Sequence, residues 1–286
     1  MTTYHKVGQG GACMVSKVLL IGGDIIQYYM AKSLIEKGFA IFYYDLHFPK
    51  ELIGAKKIQQ KQDLCNLMRC KDCVIFCAEI GNADHMAEEL NHRLLYDEPA
   101  DRSCLIWKPD GDIRFLLREA VAEAAIVEAK LLSRKTVSGS SALVLGFDVY
   151  AEEIASLLRR WDAKVVVVPE DDMEQKLAQY RGYDKCDRNE LAAFLEGNGQ
   201  KLGESLDFVF QCSSQIPLRA KQICCLSPDT ILLNMTQDEK ALDAEYARSL
   251  MLQAKHCKNL LSEYAPAVAG RLLAEKLWED LQKKAS

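Results

Sequence analysis

The chain has 286 residues, 49% of them hydrophobic and 27% charged. That is the balance of a soluble globular protein with length for one large domain or two ordinary ones. A net charge of −5 and a pI near 5.7 give no support for nucleic-acid binding, and no apolar run is long enough to cross a bilayer. With no signal-peptide pattern ahead of Val18–Ile21, the 11 cysteines are expected as reduced thiols in a cytoplasm, not as a disulfide framework.

Met1–Val15 reads as a glycine-bearing, aperiodic tail. Its Gly8-Gln9-Gly10-Gly11 run precedes the first strand and so lies on the wrong side to bind phosphate. Lys17–Ile21 is a short apolar strand, Gly22-Gly23-Asp24 a turn, and Ile25–Lys37 a helix. Asp24 with Gln27 three residues on forms a capping-box pattern, and Gly38 ends the helix. Ala40–Tyr44 is strand again, ending at Asp45. Two further strands are expected at Cys73–Ala78 and Ser103–Trp107, with helices between them. Pro109-Asp110-Gly111 opens the longest helical pattern, Ile113–Leu132. Its apolar positions are Phe115, Leu116, Ala120, Ala124, Ile126, Val127 and Leu131. About 20 helical residues span about 30 Å, and this helix is read as the connector between two domains.

The second half continues with strands at Ser141–Leu145, Lys164–Val168, Leu206–Gln211, Thr230–Leu233 and Asn259–Leu261. A final amphipathic helix, Ala265–Gln282, carries Val268, Leu272, Leu273, Leu277 and Trp278 on one side. Short apolar strands alternating with helices predict an α/β fold: two Rossmann-like or flavodoxin-like, doubly wound parallel-sheet domains joined by a long helix. Residues 1–110 with 265–286 are expected to form an N-terminal, substrate-side domain. Residues 111–264 are expected to hold the connector helix and a dinucleotide-binding domain.

The chemistry concentrates in Ser140–Glu170, a strand, glycine turn, helix, strand and acidic residue. Dinucleotide sites use G-x-G-x-x-G/A at such a turn. Here the loop is Gly146, Phe147, Asp148, Val149, Tyr150 and Ala151. The first glycine is kept, alanine stands at the permitted third position, and Asp148 replaces the glycine that lets the backbone approach a pyrophosphate. A unit charge facing another at 4 Å costs about 1 kcal/mol in water and about 4 kcal/mol at an effective dielectric of 20. Against that, Asp148 is a preferred helix N-cap, and Glu152 and Glu153 suit the first turn of a helix, where its dipole favours negative charge. Glu170 closes the second strand about 20 residues beyond Ala151, where an acidic residue holds the adenosine ribose; this favours NAD over NADP. Ser213, Ser214 and Gln215 follow a strand end, the edge at which open α/β sheets bind ligands. Loop capping is the alternative role for each.

Other chemistry is thinly marked. Cys65, Cys70, Cys73 and Cys77 have an iron–sulfur-like spacing. However, an extended strand separates Cys73 from Cys77 by about 13 Å, so packing is the expected role and no metal site is assigned. The five histidines are scattered, and neither a G-x-S-x-G elbow nor a P-loop occurs.

The stretches KVLLIGGD at Lys17–Asp24, SSALVLGF at Ser140–Phe147, SPDTILLNM at Ser227–Met235 and PAVAGRLLAEKL at Pro266–Leu277 resemble the A-subunit family of dipicolinate synthase. The resemblance spans about Ser16–Leu281. It implies a two-domain, NAD(P)-dependent oxidoreductase of sporulation, acting on a dihydrodipicolinate-like acid and assembling as a homodimer. It implies that Gly146–Ala151 cradles the pyrophosphate, Glu170 holds the ribose and Ser213–Gln215 lies near the nicotinamide. Gly22, Gly23 and Asp24 would line the substrate cleft, and the last helix would return to the first domain. Departures from the family pattern fall at Asp148, at Pro169-Glu170-Asp171 in place of an arginine, and at Thr236–Glu239 in place of a basic turn.

Two functions therefore stand beside each other. One is an NAD- or NADP-dependent oxidoreductase with a degenerate phosphate loop and no identifiable catalytic acid or base. The other is a non-catalytic paralogue that keeps the fold, binds no cofactor, and serves as a small-ligand or partner subunit. A cysteine-based redox protein rests on the cysteine run alone.

Overall fold

The computed structural model describes residues 15–77, 105–107, 113–198 and 206–285. The tail up to residue 14, Ala78, Ser103 and the Pro109–Asp112 helix opening lie outside the described residues. Contacts divide the chain into two compact units, Met1–Gly111 with Pro266–Ser286, and Asp112–Ala265. No helix among the described residues is long and apolar enough to cross a membrane.

The first unit is built on a parallel sheet of order β3-β2-β1-β4-β5. Its strands are β1 (Lys17–Ile21), β2 (Ala40–Tyr44), β3 (Ala55–Lys57), β4 (Cys73–Cys77) and β5 (Leu105–Ile106). β1 is paired on both sides, and Val18, Leu19, Leu20 and Ile21 are all buried. A run with no polar alternation is what a strand covered on both faces requires. Gly22 and Gly23 turn the chain at positive φ, 66° and 104°, a region open to glycine at little cost. Helix α1 (Ile25–Glu36) then starts with the expected capping box. Asp24 Oδ1 accepts from Ile26 N at 2.8 Å, and Gln27 Oε1 accepts from Asp24 N at 2.7 Å. Helix α2 (Lys61–Met68) packs Leu64, Leu67 and Met68 against β1 and β4.

In the second unit, helix α3 (Ile113–Leu132) leads into β6 (Ser141–Leu145), α4 (Val149–Arg160), β7 (Lys164–Val168), α5 (Asp172–Tyr180) and β8 (Asp184–Lys185). β9 (Phe208–Gln211), α6 (Ala220–Ile223), β10 (Ile231–Asn234), α7 (Ala244–Ser249), β11 (Gln253–His256) and α8 (Leu260–Tyr264) follow. The sheet is parallel, of order β11-β10-β9-β6-β7-β8. Counted from β6 this is 3-2-1-4-5-6, the dinucleotide-binding order, and its switch point lies between β6 and β9. β6 serves both faces by strict alternation. Ala142 and Val144 join α3 and α4 in one core, whereas Leu143 and Leu145 join Val166, Val168, Val209 and Leu232 in the other.

Three expectations need correction. Asn259–Leu261 is not a strand; the last strand is β11, and Leu260 opens α8. Leu260 is buried in the α3–α4 core, so its apolarity serves a helix corner and not a strand. On α3, Phe115, Val127 and Leu131 are exposed, while Leu117, Val121, Ala122, Ala125 and Ala129 share the buried face with Ala120, Ala124 and Ile126. On the final helix α9 (Pro266–Ala285), Ala269, Leu273, Ala274 and Leu277 are buried and Val268 is exposed.

Helix α9 packs on α1 within the first unit. At Gly270 the two backbones nearly touch: a Cβ there would lie 2.6 Å from Ile26 O and from Met30 N. α9 is pinned further along by Asp280, which accepts from Trp107 Nε1 at 3.0 Å and pairs with Lys276 Nζ at 2.6 Å. Because backbone cannot move aside as a flexible side chain can, Gly270→Ala is expected to cost about 1–3 kcal/mol, the usual penalty for overpacking. A lowered urea midpoint would register it; an unchanged midpoint would mean the helices do not cross this closely.

A buried carboxylate ties the second unit together. Glu128 on α3 receives Lys255 Nζ at 2.8 Å and Tyr264 OH at 2.5 Å, linking α3 to β11 and α8. Burial would raise the Glu128 carboxyl, but the hydrogen bonds from Lys255 and Tyr264 and the lysine charge outweigh it and hold the group below the usual carboxylate range. Its stabilising effect is therefore complete above the unfolded value of about 4.3 and is lost as pH falls through the lower folded value. Glu128→Gln should lose about 1–3 kcal/mol at neutral pH, less than a fully buried pair because Lys255 is partly solvated. The loss should shrink in acid, as denaturant unfolding at several pH values would reveal.

Candidate functional site

The switch point of the second sheet is where this fold binds ligands. β6 ends at Leu145, and Gly146 turns the chain at φ 92° into α4. A Cβ on Gly146 would lie 2.9 Å from Ser213 Cβ. The loop after β9 is thus drawn close to the turn, and the surviving glycine is required by backbone geometry whether or not a cofactor binds. Gln211, fully buried, holds that loop in place by donating from Nε2 to Ser213 O and, at 2.9 Å, to Ile216 O.

A helix beginning at such a turn leaves several N–H groups without intrahelical partners, and together with the dipole they attract an anion. The chain supplies its own. Asp148, with extended backbone at the N-cap, accepts from Tyr150 N at 3.1 Å and Ala151 N at 3.0 Å through Oδ1. Its other oxygen faces Arg114 Nη1 at 3.6 Å. A second carboxylate arrives from α5: Glu174 Oε2 accepts from Phe147 N at 2.8 Å and from Glu170 N at 2.7 Å. Burial, and after it the charges of Glu170 and Asp171, push the Glu174 carboxyl up, while its two backbone N–H bonds act in the opposite direction.

The sequence motif behind Glu174 is an acidic capping pattern, Asp171-x-x-Glu174. Asp171 Oδ1 accepts from Glu174 N at 2.9 Å as that pattern requires. The glutamate does not return to the N-cap amide, however; it reaches across to Glu170 and the phosphate loop. The strand-end signal at Glu170 and Asp171 stops short of Glu174, and sequence reasoning missed its role.

Glu170 and Ser213 close the next position. Ser213 Oγ donates to Glu170 Oε2 at 2.5 Å and accepts from Gln215 N at 3.0 Å. The predicted ribose acid and the first of the predicted Ser213–Gln215 group are therefore bonded to each other, while Ser214 and Gln215 are exposed. Phe147 is buried against Tyr183, with ring centroids 5.2 Å apart. Ala151 is fully buried and Val149 and Tyr150 half-buried. Burial, followed by the charges of Asp148 and Glu174, holds the Cys212 thiol well above the ordinary range, so it is a protonated packing group and not a nucleophile.

The Thr236–Glu239 turn is likewise satisfied internally. Asn234 Nδ2 donates to Asp238 O at 2.9 Å, its Oδ1 accepts from Thr236 N at 3.0 Å, and Glu239 pairs with Lys258. In the first unit Gly22 and Gly23 form the turn after β1, and Asp24 is engaged as the α1 cap. Cys73 is buried on β4, and Cys65 and Cys70 are half-buried on and just after α2. Among the described residues no group of three or more His, Cys, Asp or Glu could hold a metal ion.

Gly146→Ala tests the backbone role of the turn. Positive φ and the close approach of Ser213 should together cost about 1–3 kcal/mol in thermal or urea unfolding without any cofactor present. A neutral substitution would show that the turn is looser than described.

No family profile and no curated protein sequence matches the chain. Solved structures do. The dipicolinate synthase A chain from Bacillus halodurans superposes with a TM-score of 0.70 at 16% identity, over 95% of this chain and 99% of that one. The Bacillus subtilis dipicolinate synthase A chain gives 0.70 at 18% identity, over 94% and 98%. A D-isomer specific 2-hydroxyacid dehydrogenase from Lactobacillus delbrueckii ssp. bulgaricus, in its NAD-complexed form, gives 0.52 at 9% identity, over 93% and 96%. The protein thus has the fold of the dipicolinate synthase A chain along nearly its whole length, at only 16–18% sequence identity.

Proposed function

We propose that this protein is a non-catalytic relative within the dipicolinate synthase A-like fold, a ligand-binding or partner subunit that takes no dinucleotide at its phosphate loop. One observation carries the reading: the Phe147, Tyr150 and Ala151 amides that would meet a pyrophosphate already bond to the carboxylates of Glu174 and Asp148. An incoming dianion would have to displace both groups and remain beside them. At roughly 1–4 kcal/mol for each pair of facing charges, that amounts to one to several decades of affinity. The Glu170–Ser213 bond adds a contact that an adenosine ribose would have to break. The reading carries with it a cytoplasmic homo-oligomer whose ligand is a small acid or a further protein chain.

The competing reading, an NAD(P)-dependent oxidoreductase acting on a dihydrodipicolinate-like acid, is favoured by the 3-2-1-4-5-6 strand order and by Glu170 at the end of β7. Calorimetric titration of NAD, NADH, NADP and NADPH separates the two. The unmodified protein is expected to give no heat at millimolar cofactor. Asp148→Gly with Glu174→Gln should gain at least tenfold in affinity, since glycine at an N-cap costs only a few tenths of a kcal/mol. Micromolar binding by the unmodified protein would overturn the proposal and direct attention to turnover.

A further inference from the structure

Helix α6 ends at Ile223, Cys224 is its C-cap, and Cys225 follows directly. Both thiols fold back on one backbone oxygen. Cys224 Sγ lies 3.2 Å from the Lys221 carbonyl oxygen, Cys225 Sγ lies 3.3 Å from it, and the sulfurs are 3.9 Å apart. The amides that follow go elsewhere: Cys224 N to Ala220 O, Cys225 N to Gln222 O, and Leu226 N to Ile223 O. Cys224 is exposed, Cys225 is half-buried, and both are free thiols.

The separation is wrong for a disulfide and right for a shared ion. A disulfide needs sulfurs about 2.05 Å apart and Cα atoms at least about 4.4 Å apart, whereas adjacent residues are held at about 3.8 Å. A triangle with sides of 3.2, 3.3 and 3.9 Å has its corners about 2.0 Å from its centre. An ion slightly above that plane reaches both sulfurs at about 2.3 Å and the oxygen at about 2.1 Å, the bond lengths of tetrahedral zinc.

We propose that Cys224, Cys225 and the Lys221 carbonyl form a three-donor site for a thiophilic divalent ion of the zinc class, with the fourth tetrahedral position open to solvent. Binding releases both thiol protons to solvent, and the two thiolates neutralise the ion. Soft sulfur donors select zinc-like ions over magnesium or calcium.

The test titrates Zn2+ into the full-length protein against a chromophoric chelator, under a reductant that carries no thiol. Co2+ is titrated in parallel for its thiolate charge-transfer band. The unmodified protein should bind one ion with that band, more tightly as pH rises, with two protons released. Cys224→Ser and Cys225→Ser should each weaken binding at least tenfold, and Cys65→Ser with Cys70→Ser should leave it unchanged. The absence of a charge-transfer band, or binding by the Cys224→Ser and Cys225→Ser variants as tight as that of the unmodified protein, would overturn the proposal.

Discussion

The start of helix α4 governs how the second unit is arranged. A helix launched from the end of a central parallel strand carries unpartnered N–H groups and the positive end of its dipole. Such groups are paired in native structures, with protein or with water. Dehydrogenases of this fold answer them with a cofactor phosphate. This chain answers them with Asp148, from within the turn, and Glu174, from the next helix. The close packing of Ser213 on Gly146 and the bond from Ser213 to Glu170 follow from the same closure.

Holding several carboxylates near one another is costly, and the structure shows how the cost is offset. Glu174 receives two backbone amides, and Asp148 receives two amides with Arg114 close by. The acidic first turn of α4 is matched by arginines from neighbouring elements: Arg118 lies 3.4 Å and Arg160 3.1 Å from Glu153, and Arg181 lies 2.7 Å from Glu152. A tethered carboxylate also competes at an effective concentration in the millimolar range or above. Under the proposed reading, a free nucleotide would face competition as well as repulsion.

The first unit depends on a different contact, the glycine-mediated approach of α9 to α1. The chain leaves this unit before α3 and returns to it only at Pro266. α1 is thus packed by a helix more than two hundred residues away in sequence. Phe39 meets Trp278 edge-on with centroids 5.8 Å apart, and Trp107 donates to buried Asp280. These aromatic and polar anchors fix the position of α9 along α1, a placement that a smooth apolar stripe alone would not specify.

Elements with a local signal were legible along the chain. β1, β2, β6, β7 and α3 start and stop where apolar runs and caps place them, and the Asp24 and Asp148 caps were readable because a cap bonds within three residues. Other features took shape only through assembly. β3, β8 and β11 are short edge strands with exposed or half-buried polar residues such as Lys56, Asp184 and Gln253. They are strands because a neighbour offers them backbone partners, not because of their own side chains. Glu174 follows the same logic: a capping pattern concerns only neighbours in sequence, whereas the sheet brings Phe147 and Glu170 within its reach. Local chemistry can be read along the chain because its partners are neighbours in sequence. The closing of the phosphate loop could not, because its partners meet only after β6 and β7 have paired.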